Sequence, residues 1–447
     1  MGRKLMIIGL DAAPPALLYN ELSNEILNLS KLTQKGARLL STNPPITIPA
    51  WAVMSTGKTP GELGIYGFRH RRKGTYNDYY IVNSKFIREP TVWDKAGNKG
   101  LKSIVVGVPP SYPPKPLNGI MISCFITPSV DSEYTYPKKL KEEIKKMFNG
   151  YIFDVTYRSD KRDKVKNDLW IMTKKHFKVI KYLINKPWDL FFFVEIGIDR
   201  VQHAFWGFMD KEHHKYVPGN KYENVIKDYY KLVDALIGEL LKEIPKDTVI
   251  ITVSDHGAKR MKGAFVVNQW MIEKGYLRLL KENIPKGTEL NQVKVDWSKT
   301  IAWGWGGYYA RIFLNVKGRD PKGVIDPKDY EHYRDELKEE LSKIKGPNGE
   351  RWDNKIFKPE ELYPVIKGDP PDLIAYFDNL YWRSAGTLGW RTMYLRENDR
   401  GPDDAVHDWY GVFSIYDPES SFEVKKDTYK IEEVSSVIEE ILGIESS

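Results

Sequence analysis

In EIGIDRVQHAFW, Asp199 and His203 stand four positions apart. On a helix that begins just after the preceding apolar run, this spacing puts a carboxylate and an imidazole on one face, one turn apart. A hard oxygen donor and an imidazole so placed are a start on a zinc-type site. The competing reading is an aspartate at a helix N-terminus with a histidine packed beneath it. In VIITVSDHGAKR, Asp255 and His256 are adjacent at a strand-to-loop junction, where both side chains can turn toward one ion, and Gly257 permits the close backbone approach. A capping or surface role is the competing reading for that pair.

The stretch TNPPITIPAWAVMSTGKTPG (42–61) offers two further chemistries. TIP sets the Thr47 hydroxyl between Pro45 and Pro49, which restrict the backbone around a would-be nucleophile. STGKT looks like the tail of a phosphate-cradling P-loop, but that motif needs glycine where Ala52 stands. AWAVMSTG also reads as the first turns of a helix, starting near Ala50, rather than as a loop. The P-loop is rejected.

Other reactive groups read as structural. His213 and His214 lie in the charged stretch DKEHHKY and read as solvated surface. His176 and His332 sit in amphipathic helical patterns. The single cysteine, Cys124 in GIMISCF, reads as a buried inert thiol and excludes an intramolecular disulfide or a multi-cysteine metal site.

The elements that must position these groups follow from periodicity. Apolar runs at 5–11, 103–109, 121–125, 189–197 and 249–255 read as buried strands, with amphipathic helical patterns at 138–148, 169–184 and 223–244 between them. Such alternation predicts an α/β fold with a mostly parallel central sheet and helices on both faces. Function in these sheets gathers at the carboxyl ends of strands, where Asp11, Asp199 and Asp255 all fall. Residues 260–395, rich in Trp, Tyr, Gly and Pro, read as an inserted smaller lobe, and 1–259 with 396–447 as the core. The lobe's aromatics, Trp303, Trp305, Tyr308, Tyr309 and Trp382, read as its core rather than a stacking platform.

At 447 residues with 41% hydrophobic side chains, the chain can bury a substantial core. Its net charge of +8 is a mild bias, and RHRRK (69–73) is the densest basic cluster, which argues against dedicated nucleic-acid binding. No run is long and apolar enough for a membrane helix, and MGRKLMIIGLDAAPP fits no signal peptide. A soluble cytoplasmic protein is the expectation; the oligomeric state is not set by the sequence.

The segments IGLDAA, TIPAWAVMSTGKTPGELGIYGF, EIGIDRVQHAFW, VSDHG and HDWYGVF occur in that order over positions 8–413. Together they resemble the alkaline phosphatase superfamily, specifically its type I phosphodiesterase/nucleotide pyrophosphatase branch and the phosphohydrolase and phosphomutase relatives of that branch. The resemblance implies an alkaline-phosphatase-like fold and a metal-dependent phosphoric ester hydrolase acting on nucleotides or other small phosphoesters. It implies two divalent ions, zinc with manganese as the alternative. Asp199, His203 and His407 would hold one ion and Asp11, Asp255 and His256 the other. Thr47 would form a covalent phosphothreonine. A phosphomonoesterase or phosphomutase is the alternative on the same scaffold, and a metal-stabilised binding protein without turnover a more distant one. Sulfatases of the superfamily use a modified Cys or Ser, so Thr47 argues against that chemistry. An asparagine that helps bind the phosphoryl group in this branch has no counterpart in GIYGFRHRR, which leaves Arg69, His70 and Arg71 as candidates for an anionic substrate group, against a solvated basic loop. Trp51, close after Thr47, is a further departure.

Overall fold

Strands form where the sequence is apolar without alternation, because such runs lose least when both faces are covered. The computed structural model describes residues 3–281 and 283–444. The chain divides into two compact units, one made of the segment ending at Gly67, Val82–Ala258 and the segment from His407, the other of Phe68–Ile81 and Lys259–Val406.

The first unit is built on a nine-stranded sheet. Its strands are Leu5–Leu10 (β1), Ala37–Leu40 (β2), Ser103–Val106 (β3), Gly119–Ile122 (β4), Thr135–Tyr136 (β5), Leu190–Glu195 (β6), Val249–Val253 (β7), Tyr410–Tyr416 (β8) and Thr428–Lys430 (β9). In space they run β9-β2-β8-β7-β1-β6-β3-β4-β5. β1 pairs in parallel with both β6 and β7, in register from Leu5 opposite Leu190 and Val249. β8 is antiparallel to both its neighbours, as is the edge strand β5 to β4. All residues of β1, β3, β6 and β7 are buried.

Helices cover both faces. Leu5, Ile7, Phe192 and Ile251 share one core with Trp51 of helix α1 (Thr47–Thr56) and with Ile438 and Ile441 of the last helix, Glu433–Leu442. On the opposite face Phe193 meets Phe177 of α2 (Arg162–Leu183) edge-on, with ring centroids 5.8 Å apart. Beside α2 run α3 (Gly197–Met209) and α4 (Val225–Leu240). The α/β architecture with a mostly parallel sheet is as the periodicity predicts.

α1 settles the ambiguous stretch. It begins at Thr47, not near Ala50, because Pro49 lies in the first turn, where a missing N–H costs nothing. Gly57 is its left-handed C-terminal cap (φ 72°), and Thr59 opens the next turn of helix in a capping box with Glu62. GKT is helix punctuation. Cys124 is buried as expected, and burial pushes its thiol up. His213, read as solvated, is instead buried: the turn from Asp210 folds it under the chain, where His213 Nδ1 accepts from the Lys215 N–H at 3.1 Å. His214 is exposed.

The second unit holds a four-stranded antiparallel sheet (302–305, 310–314, 373–376, 355–357) and a three-stranded sheet around Gly263–Val266. Trp303, Trp352, Trp382 and Phe313 lie in its core, with Trp305 packed against it, so these aromatics are core side chains. His332 is exposed on the helix Tyr330–Ser342. The hairpin Arg69–Arg71/Tyr79–Ile81 belongs to this unit. Buried Arg71 ties it there, donating to Asp320 at 2.6 Å and Asp369 at 3.3 Å beneath the Phe313 ring. His70 is buried as well, whereas Arg69 is exposed and lies over Tyr79. Among the described residues, no helix is long and apolar enough to cross a membrane.

Candidate active site

Three parallel strands deliver three carboxylates to one edge. Asp11 follows β1 directly, Asp255 lies just past β7, and Asp199 is in the first turn of α3 after β6. The helical rise brings His203 onto the face of Asp199, with His203 Nε2 at 3.2 Å from Asp199 Oδ1. His407 arrives from the far end of the sequence because β8 runs antiparallel. The residues preceding β8 therefore come to the carboxyl edge of β7, where Ser254 N–H donates to Val412 O. In a parallel strand the same residues would start at the opposite edge.

Every member is buried. Asp11, Asp255 and His256 have no exposure, and Asp199, His203, His407 and Thr47 retain at most 3%. Ligand atoms of Asp199, His256 and His407 lie within 4.8 Å of one another, as do those of Asp11, Asp255 and His256. His256 stands in both groups and stacks on His407 with ring centroids 3.8 Å apart. Thr47 Oγ1 is 3.3 Å from His256 Nε2. Gly257 is required here, since a Cβ would come within 2.3 Å of Tyr410 O.

The electrostatics are those of anions packed together. Burial, with repulsion from Asp199, raises the Asp11 carboxyl well above its ordinary range, and burial with repulsion from Asp11 does the same for Asp255. Burial also works against the Asp199 carboxylate, but His203 and Arg200 outweigh it and hold that group well below the usual range. Burial pushes His256 down to about 4, and burial with the neighbouring His256 pushes His407 down.

These residues fit divalent cations. His256 Nδ1 faces Gly257 O at 2.9 Å and His407 Nδ1 faces Pro45 O at 2.8 Å. A carbonyl can only accept, so each Nδ1 carries the proton and each neutral Nε2 presents a lone pair. Those lone pairs point toward carboxylates: His256 Nε2 is 3.1 Å from Asp255 Oδ2, and His407 Nε2 is 3.7 Å from Asp199 Oδ1. Asp11 Oδ1, Asp199 Oδ1 and Asp255 Oδ2 are buried without a hydrogen-bond partner. Acceptors converging on acceptors away from water are costly unless positive charge lies between them.

A sequence profile described as type I phosphodiesterase / nucleotide pyrophosphatase matches residues 5–403. The chain belongs to that family. It is by family a phosphoester hydrolase, and the buried Asp and His groups accord with the metal dependence of type I phosphodiesterases. No match was found among curated protein sequences. Among solved structures, phosphonoacetate hydrolase from Sinorhizobium meliloti 1021 in complex with phosphonoformate superposes with a TM-score of 0.61 at 14% identity, covering 98% of this chain and 95% of that one. Human ectonucleotide pyrophosphatase / phosphodiesterase 5 gives a TM-score of 0.56 at 15% identity, over 100% and 96% of the two chains. The murine protein 5, inactive and in complex with AMP, gives 0.55 at 13%, over 100% and 96%. At such identities these likenesses show a shared fold alone.

Several residues that hold the site went unremarked in the sequence. Arg200 donates to Asp199 Oδ2 at 2.6 Å and grips Asp154 with two further N–H groups, both at 2.8 Å. Gln202 Nε2 donates to Ala12 O at 3.0 Å and so secures the turn after Asp11, where Ala12 adopts φ 59°. Glu195 caps α3 through the Gly197 N–H at 3.0 Å and pairs with His176 at 3.1 Å. Arg200 and Gln202 are adjacent to the Asp199/His203 motif, which is the only signal a sequence carries for them; Glu195 carries none, and its partner His176 is the histidine read as structural in an amphipathic helical pattern.

Proposed function

We propose that the protein is a two-metal phosphodiesterase or phosphohydrolase acting on nucleotides or other small phosphoesters, with Thr47 as its nucleophile. The observation that carries this reading is the Thr47 hydroxyl 3.3 Å from His256 Nε2, at the meeting point of the two ligand groups. Asp199, His203 and His407 would hold one ion and Asp11, Asp255 and His256 the other, with imidazole and carboxylate donors suited to zinc and, secondarily, manganese. Bound there, the ions would supply charge neutralisation for the phosphoryl group and a lowered pKa for the nucleophilic hydroxyl.

The chain's own part is positional. Thr47 sits in the first turn of α1, held by the fixed φ of Pro49 and buried from water. The N–H groups of Thr47 and Ile48 precede the first intrahelical bond, donated by Ala50 to Ile46 O at 2.9 Å, and are oriented to receive a phosphate oxygen. Thr47 Oγ1 gives its proton to water and bonds to phosphorus as the ester P–O bond breaks, and the leaving alkoxide takes a proton from water and departs as the alcohol. Water then cleaves the phosphothreonine, restoring the hydroxyl and releasing phosphate or a monoester. The neighbours' ligands, phosphonoacetate in one and AMP in another, support a small phosphoryl substrate. The threonine-to-alanine change carried by the inactive murine protein supports a threonine nucleophile.

The test is an activity panel of metal-stripped protein reconstituted with Zn²⁺ or Mn²⁺, offered aryl phosphodiesters, aryl monoesters and nucleotides. Metal-restored diester cleavage that is lost in Thr47→Ala supports the reading. Cleavage undiminished in Thr47→Ala overturns the nucleophile, and absence of turnover on every ester with metal bound overturns the enzyme.

A further inference from the structure

Each of the three clustered carboxylates has one oxygen engaged by a donor of the chain, while the other accepts no hydrogen bond; for Asp199 and Asp255 that second oxygen faces an imidazole nitrogen, His203 Nε2 at 3.2 Å and His256 Nε2 at 3.1 Å. Asp11 Oδ2 accepts from the Trp51 indole N–H at 2.8 Å, Asp199 Oδ2 from Arg200 at 2.6 Å, and Asp255 Oδ1 from the Ala12 backbone N–H at 3.2 Å. The three remaining oxygens are the buried ones that accept no hydrogen bond. A carboxylate pinned through one oxygen presents the other as a single donor and resists swinging both toward a cation.

Trp51 is the donor that the fold has gone furthest to place. It reaches Asp11 from a different element, α1, and its ring is fully buried. Gly9, two residues before Asp11, makes room for it: a Cβ there would lie 2.7 Å from the tip of the indole. Phe192 meets the ring edge-on with centroids 6.0 Å apart. Packing alone would be served by any large apolar side chain, whereas the N–H directed at a carboxylate would not. The sequence marked Trp51 only as a departure from the pattern of the phosphodiesterase branch.

We propose that Trp51 is a positioning residue for metal binding and metal choice. Its N–H holds Asp11 Oδ2 aside so that Asp11 offers Oδ1 alone, which favours a compact ion of low coordination number such as Zn²⁺. Ca²⁺, which takes many oxygens and often both of a carboxylate, is disfavoured. The proposal rests on the reading that the site holds divalent ions.

The test compares wild type with Trp51→Phe, both stripped by chelator and titrated with Zn²⁺ against a competing chromogenic chelator, then with Ca²⁺ in competition. A second variant carries benzothienylalanine at position 51, which keeps the bicyclic shape and replaces the N–H by sulfur. The expected result is two Zn²⁺ bound by wild type, with one of them weakened about 10- to 100-fold in both variants and a narrowed preference over Ca²⁺. The melting temperature of the metal-free benzothienylalanine protein should match wild type. If Trp51→Phe fails to fold, the isostere decides. Wild-type affinities in the isostere overturn the proposal, as does a loss confined to Trp51→Phe, which would assign the effect to packing. A wild type that binds no ion overturns the metal reading as well; a wild type that binds two alongside an unaltered isostere overturns the Trp51 proposal alone.

Discussion

Thr47 Oγ1 and His256 Nε2 stand 3.3 Å apart, both buried, across 209 positions of sequence. The His256 Nδ1 proton is committed to Gly257 O, so the nitrogen facing Thr47 carries a lone pair. Thr47→Ala is therefore expected to lower diester turnover by about 10⁴-fold or more while leaving metal content unchanged. Thr47→Ser, which keeps a hydroxyl, should retain measurable turnover. Steady-state kinetics paired with elemental analysis of the purified variants checks both; equal turnover in wild type and Thr47→Ala refutes the assignment.

Removing metal should cost stability, because Asp11, Asp199 and Asp255 are then left repelling one another in a buried site. Ligand at a hundred times its Kd adds about 2.7 kcal/mol to the folded state, so chelation should lower Tm by several degrees and Zn²⁺ should restore it. Asp11→Asn removes one of the repelling charges. Its metal-free form is expected to melt above metal-free wild type while binding fewer ions, measured by calorimetry with and without chelator.

Glu195 and His176 form a buried pair beneath α3. His176 Nε2 lies 2.6 Å from Ile152 O, to which it donates, and Nδ1 3.1 Å from Glu195, whose carboxylate favours a second proton on the ring. Burial opposes that charge, but Glu195 outweighs it and raises the His176 pKa above its ordinary 6.5. The native state thus binds this proton more tightly than the unfolded chain does. The stabilisation is fully present below pH 6.5 and is lost as pH rises through the raised native value. Denaturant melts across that window should show stability falling with pH in wild type and a flatter profile in His176→Asn. Glu195→Gln, which removes the charge that holds this proton, should flatten the profile in the same way.

Arg71 was a sequence candidate for binding an anionic substrate group, yet its guanidinium is buried on Asp320. Arg71→Met should cost about 1–3 kcal/mol by leaving Oδ1 of the buried Asp320 carboxylate without its donor, while Oδ2 keeps Arg319 at 3.0 Å. Arg69→Ala, on the exposed strand edge, should stay within about 0.5 kcal/mol. Chemical denaturation measures both. An Arg71→Met protein of wild-type stability with a raised KM would restore the substrate role.

The sequence by itself determined the sheet and the reactive residues. Long apolar runs such as LMIIGL and LFFFVE cannot be solvated on either face, so strands, parallel pairing and the carboxyl edge bearing Asp11, Asp199 and Asp255 follow from hydrophobicity and chain order alone. The i, i+4 spacing likewise fixed that His203 would stand over Asp199, because a helix repeats its faces locally. What only the tertiary structure decided are relations between groups far apart in the chain. The antiparallel course of β8 brings His407 to that edge, and the indole of Trp51 finds Asp11 through the space that Gly9 leaves. His176 proves to be paired with a carboxylate rather than merely packed, and Arg71 buried rather than solvated, because each meets Glu195 or Asp320 from another segment. A hydrogen bond or ion pair depends on ångström distances and on alignment. Local periodicity carries no record of those between segments that meet only when the chain has folded.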